Sequence, residues 1–268
     1  EGEVDSQLVL DKIDADKDEV IDIALKLLNA RPIEAGTYDI ICDPAVAGLI
    51  AHEAFGHGVE MDMFVKERAK AVQYVGKRVA SDVVNMYDGA ASCVSAASYF
   101  FDDDGVEAGK TNIIKNGILQ TGISDCLSAM ELGTTPTGNG RRESYKRKVY
   151  TRMTNTFFDA GNDSVEDMIK SIKHGYYLCQ SSNGMEDPKN WQIQCTAGYG
   201  IEIVDGKLTD HIVAPVVISG SVVELLNSIS MVSKDVHIFG MGMCGKGHKE
   251  WVFVSDGGPY LKGKAKLS

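Results

Sequence analysis

Residues 48–60 read GLIAHEAFGHGVE and set His52, Glu53 and His57 in an otherwise apolar run. Histidine is a frequent zinc ligand, and a glutamate placed beside the metal can take a proton from its water. The usual arrangement for this chemistry is HExxH on a helix, where histidines four residues apart share one face. Here they are five apart, and on a regular helix the second ring would be rotated by about 140° from the first. A π-turn, or a helix that breaks before His57, restores convergence. Gly56 and Gly58 flank His57 and permit either. The alternative expectation is a helix with two partly buried histidines and a surface glutamate.

Two histidines do not complete a catalytic zinc site, which generally has three protein ligands and a water. His174 follows a charged helical stretch, where the helix C-terminal dipole explains it. His211 and His237 lie in strand-like runs with no acidic or glycine-rich company. The segment GMGMCGKGHKE, residues 240–250, offers Cys244 in a glycine-rich turn and His248 four residues on. Glycines let a backbone approach a site closely, and a thiolate is a strong zinc ligand. An isolated cysteine is otherwise a buried inert thiol. From these residues alone, both candidates stand.

Other segments carry weaker chemistry. TPTGNGRRESY is a polar glycine-rich loop whose Arg141 and Arg142 could bind peptide backbone or a terminal carboxylate in bidentate fashion. It could equally be a solvated loop or a contact between subunits. TGNG lacks the strand, loop and lysine of a phosphate-binding loop. FFDDDG has neither the spacing nor the distant glutamate of a calcium loop, so Asp102, Asp103 and Asp104 read as a turn. YKRKVYTR, residues 145–152, reads as a solvated basic strand face.

The elements that must position these residues follow from local signals. Residues 16–30 show helical spacing of Val20, Ile23, Leu25, Leu27 and Leu28 behind acidic residues. Tyr38–Cys42 reads as a strand that feeds the histidine helix, with Asp43 as N-cap and Pro44 as first helical residue. A third helix is predicted over residues 163–175, capped by Asp163 or Ser164 and stopped at Gly175, and a fourth over 221–232. Asn116-Gly117 and Asp205-Gly206 are the dipeptides that two-residue hairpins demand. The fold predicted is α+β, rich in antiparallel strands with a few packed helices, in one domain of 268 residues.

The formal net charge of -11 argues against a face that neutralises phosphates, so direct nucleic-acid binding is not expected. No apolar run reaches the ~20 residues of a transmembrane helix, and no signal-like segment is visible. The six cysteines form no CxxC pair, and reduced thiols in a cytoplasmic protein are the expectation.

Along nearly its whole length the chain resembles the TldD side of the TldD/PmbA (TldD/TldE) metallopeptidases. The segments HEAFGHG, GKRVASDVV, NGILQTG, PTGNGRRESY, RMTNT and MGMCGKG carry the resemblance. It implies zinc held by His52, His57 and Cys244, with Glu53 as catalytic base. It implies unfolded or short peptides as substrates, and an enclosed site in a homodimer or in a heterodimer with a TldE/PmbA-like subunit. The TldE/PmbA relatives lack the metal motif, and this chain keeps it. The family's further N-terminal α/β domain has no counterpart in residues 1–268, which correspond to the C-terminal, metal-bearing part. Two functions are therefore carried forward. One is a zinc-dependent peptidase; the other is an inactive peptide-binding or scaffold subunit with a structural or empty metal site.

Overall fold

A computed structural model describes residues 6–247 and 249–268, without the side chain of Met241. The expected α+β architecture is present, with mostly antiparallel sheets. One sheet contains β1 (Gly36–Cys42), β8 (His174–Asp187), β9 (Gln192–Val204), β10 (Lys207–Val213), β11 (Val216–Ser221), β12 (Met231–Val232) and β15 (Leu261–Leu267). Its pairings run β1-β8-β9-β11-β15 and return from β15 to β1, so five strands form a closed ring. The second sheet follows the order β13 (His237–Lys246), β14 (Lys249–Gly258), β7 (Asn155–Phe158), β2 (Met86–Asp88), β3 (Thr111–Lys115) and β4 (Ile118–Leu119). A short ribbon joins β5 (Gly140–Arg141) to β6 (Tyr150–Thr151).

The two predicted hairpins are present. Asn116 and Gly117 have φ of 48° and 76°, and Asp205 and Gly206 have 47° and 75°. Paired left-handed residues match the right-handed twist of the strands they connect. Among the described residues the Asp102–Asp104 segment is a turn, with Asp102 Oδ1 accepting from the Asp104 and Val106 amides.

The helix that carries the histidines lies between the sheets. α2 (Pro44–Ala51) buries all but one of its residues and packs against both β8 and β14. A helix apolar on every side is stable only with neighbours on every side, and the two sheets supply them. Asp43 caps it as predicted, accepting from the Val46 amide at 2.8 Å. Its second oxygen accepts from the Gln180 amide at 2.8 Å, which ties the start of α2 to β8.

Other helices differ from the sequence expectation. α1 (Ser6–Leu27) begins ten residues before Asp16, so the acidic residues there lie inside it, and none of its residues is buried. α3 (Met61–Val65) and α4 (Cys126–Leu132) are short. α5 (Val165–Lys170) is capped by Ser164 but stops well before Gly175, because His174 and Gly175 already belong to β8. His174 therefore does not end a helix; its Nε2 is 3.1 Å from Glu202, in the neighbouring strand. α6 (Val222–Ser228) likewise ends early, since Met231 and Val232 pair with β15. In both places strand pairing outcompetes helical spacing. The basic run also departs from expectation at its end. Tyr145 to Lys148 are exposed, but Arg152 is wholly buried.

Candidate metal centre

α2 does not continue as an α-helix through the histidines. His52–Gly56 form a π-turn in which the His57 N–H donates to the His52 carbonyl, five residues back, and a 3-10 turn follows over His57–Val59. That wider turn brings the two imidazoles to one side, with ring centroids 5.0 Å apart at 89°. From the second sheet, β13 brings Cys244, whose Sγ lies 3.2 Å from His57 Nε2. One donor atom from each of His52, His57 and Cys244 falls within 4.8 Å of the other two.

Burial alone would raise the pKa of Cys244. Hydrogen bonds from His52 and His57 overcome it and bring the thiol down to about 5. A preformed thiolate between two imidazoles is an N/N/S donor set of the kind zinc takes. Nδ1 of His52 is buried and has no hydrogen-bond partner among the described residues, as expected of a ring held by its other nitrogen. The residues present thus fit a metal ion.

Behind His57 lies a buried charge network. Glu60 Oε2 is 3.5 Å from His57 Nδ1 and 3.0 Å from Lys246 Nζ, and Glu60 Oε1 is 3.3 Å from Arg152 Nε. Burial works against the Glu60 carboxylate, but Lys246, His57 and Arg152 hold it well below the usual range. Lys246 also reaches Asp62 at 2.8 Å and donates to the Thr151 carbonyl, while Arg152 donates to the carbonyls of Cys244 and Glu250. These bonds clamp β13 onto the segment that follows the π-turn.

Glu53 is buried on the opposite side, toward the first sheet. Its carboxylate lies against Gly184 of β8: a Cβ at Gly184 would come within 2.9 Å of Glu53 Cδ and 3.0 Å of Oε1. Glu53, the two histidines and Cys244 line a cleft of about 610 Å³ between Ser182–Glu186 of β8 and Met243–Lys246 of β13 with the Gly247 that follows. Besides Glu53, the carboxylates of Glu60, Glu186 and Asp256 line it. Burial pushes Glu186 up to about 9 and Asp256 up to about 7, with His52 pulling Asp256 the other way.

Arg141 and Arg142 do not line this cleft. Arg141 Nη1 donates to the Met153 and Phe253 carbonyls at 2.6 and 2.7 Å, and Arg142 Nε is 3.2 Å from Asp103. Both border a neighbouring cavity of about 350 Å³ that shares Met243 and Trp251 with the cleft. His211 pairs with Glu202, and His237 opens β13. His248 lies outside the described residues. Glu60, Arg152, Lys246 and Asp256 are not singled out as site residues by the sequence. The only local signal is the place of Glu60, three residues after His57.

A mixed fold that brings two imidazoles and a cysteine sulfur around one point, beside a carboxylate in a cleft, has the donor set of a candidate metal site. The chain belongs to the PmbA/TldA metallopeptidase family, whose C-terminal domain matches residues 35–265. It is 34% identical over 252 residues to a metalloprotease TldD homolog of Buchnera aphidicola, covering 94% of this chain and 52% of that protein. It is 35% identical over 234 residues to a zinc metalloprotease TldD homolog of Saccharolobus solfataricus, covering 86% of this chain and 51% of that one. It therefore spans about half the length of these relatives. Among solved structures, TldE from Thermococcus kodakarensis aligns with a TM-score of 0.72 at 25% identity, over 94% of this chain and 56% of that chain. A Thermotoga maritima chain aligns with a TM-score of 0.73 at 22% identity, over 91% and 53%, a likeness of fold alone. Among the described residues no helix is long and apolar enough to cross a membrane.

Proposed function

We propose that the chain is the metal-bearing part of a zinc-dependent peptidase acting on unfolded or short peptides. The observation that carries this reading is the convergence of His52, His57 and Cys244 in a cleft that also holds Glu53. The relative named a zinc metalloprotease supports zinc as the ion.

His52, His57 and Cys244 would hold the zinc, which when bound polarises a scissile carbonyl and acidifies a water. Glu53 takes the proton from that water and passes it to the leaving amine. Its place beside His52, pressed against Gly184, fixes its distance from the ligands without making it one of them. Substrate backbone is aligned by strand edges. β13 pairs only with β14, and residues 182–186 of β8 pair only with β9, among the described residues. Both strands border the cleft, so an extended peptide can add to either, which gives affinity with little side-chain selectivity. A second subunit, another copy or a TldE/PmbA-like partner, would enclose the cleft.

The test is cleavage of an unstructured peptide by the purified protein, with its zinc content measured in the same sample. Cleavage should stop on chelation and return with zinc. Activity unaffected by complete removal of metal would overturn the reading. Zinc bound without cleavage, alone or with a TldE-type subunit, would favour a structural site in a scaffold subunit.

A further inference from the structure

Asp256 of β14 is wholly buried, and neither of its carboxylate oxygens has a hydrogen-bond partner among the described residues. Desolvating a carboxylate without compensation is costly, so a buried one needs a donor. Close to it lies a donor in the same condition. His52 Nδ1 is buried and also without a partner.

The geometry of α2 sets the two groups side by side. Gly48 precedes His52 by four residues and so shares its face of the helix. A Cβ built on Gly48 would come within 2.6 Å of Asp256 Oδ1, so this carboxylate fills the slot that a side chain at position 48 would take. Helical side chains lean toward the N-terminus and cover the preceding turn. The His52 ring therefore reaches back over the turn where Asp256 sits, and both residues line the same cleft. The hydrogen bond between His52 and Cys244 then falls to Nε2.

We propose that Asp256 is a positioning residue of the metal centre: it accepts a hydrogen bond from His52 Nδ1–H, directly or through one water. That bond fixes the tautomer in which Nε2 faces the metal. The inference rests on the reading of His52 as a ligand. It makes the two histidines equivalent in design, since His57 Nδ1 already has Glu60 at 3.5 Å. Each imidazole is then backed by a buried carboxylate from outside the π-turn. Such partners fix ring orientation and raise ligand basicity, and their loss typically weakens metal affinity by about 10–100-fold.

The test uses the zinc-loaded chain with 15N-labelled histidine. In the wild type the His52 Nδ1 should be protonated, with a proton protected from exchange. Asp256→Asn preserves volume, so the metal-free variant should unfold at the wild-type temperature. It should bind zinc about 10-fold or more weakly in a chelator competition, and its His52 Nδ1–H should exchange faster. Unchanged zinc affinity together with an unchanged Nδ1–H signal would overturn the proposal while leaving the metal centre intact. If the variant does not fold, the wild-type spectrum decides: an unprotonated or freely exchanging Nδ1 overturns it. Wild-type protein that binds no zinc would overturn the metal centre itself and this inference with it.

Discussion

Glu53, from the π-turn, and Cys244, from the second sheet, line the same cleft, and the different tasks proposed for them make different predictions. Glu53 lies against Gly184, and in the proposed mechanism it acts on a proton rather than on the ion. Glu53→Gln should therefore keep its zinc while peptide hydrolysis falls about 10²–10⁴-fold, the usual contribution of a general base. Zinc content and turnover measured on one preparation check this, and loss of zinc would make Glu53 a ligand instead. Cys244 is held as a thiolate by the two histidines, with a pKa of about 5 against an ordinary 9.0. A depressed pKa means the anion is already present at neutral pH. In metal-stripped protein Cys244 should accordingly be alkylated at about pH 6–7, where an ordinary thiol is almost wholly protonated, and zinc should slow the reaction. Mass spectrometry of the modified peptide across pH reads it directly. Cys244→Ser should lose most of the zinc, and His248→Ala should retain it. Glu53 and Cys244 are legible in the sequence as candidates because chemistry resides in residue type, although type alone leaves His248 beside Cys244. The thiolate's charge is not, because it depends on imidazoles 192 and 187 positions away in the chain.

At the scale of elements, the entry to α2 is legible because its signals are local: Asp43 caps and Pro44 starts, as their side chains dictate. The five-residue spacing of the histidines also demands a distorted helix, and the π-turn is one of the two distortions it allows. The role of Gly56 is not legible. Its φ of -69° is open to any residue, so freedom of the backbone is not what it contributes. A side chain there would collide with the Met153 sulfur. Gly56→Val should push the π-turn away from Met153 and weaken zinc binding without touching a ligand, by an amount a chelator competition can read. Gly184→Ala acts from β8 on the other side, displacing Glu53. Zinc should stay bound and turnover should fall by about 10²-fold, as a misplacement of about 1 Å can cause. The ends of α5 and α6 escape a sequence reading for a related reason. The residues beyond them keep helical spacing, but pairing with distant strands claims them.

For the molecule as a whole, the centre is where two sheets meet. His52 and His57 belong to a segment packed between the sheets, Cys244 belongs to the second, and Glu53 rests on the first. Lys246 and Arg152 hold this junction from positions 186 and 92 residues away from Glu60 and Cys244, so no local pattern could reveal them. A ligand that binds only the folded state stabilises it by mass action, by about 2.7 kcal/mol at a free concentration 100 times its Kd. Zinc should therefore raise the unfolding temperature of wild-type protein and of Glu53→Gln alike, and leave Cys244→Ser nearly unchanged in a thermal scan. The central claim is that one ion is held by two imidazoles and one thiolate. X-ray absorption at the zinc edge of the loaded chain tests it most directly. A single sulfur at about 2.3 Å beside nitrogen or oxygen neighbours at about 2.0–2.1 Å is expected; a first shell with no sulfur would rule this ligand set out.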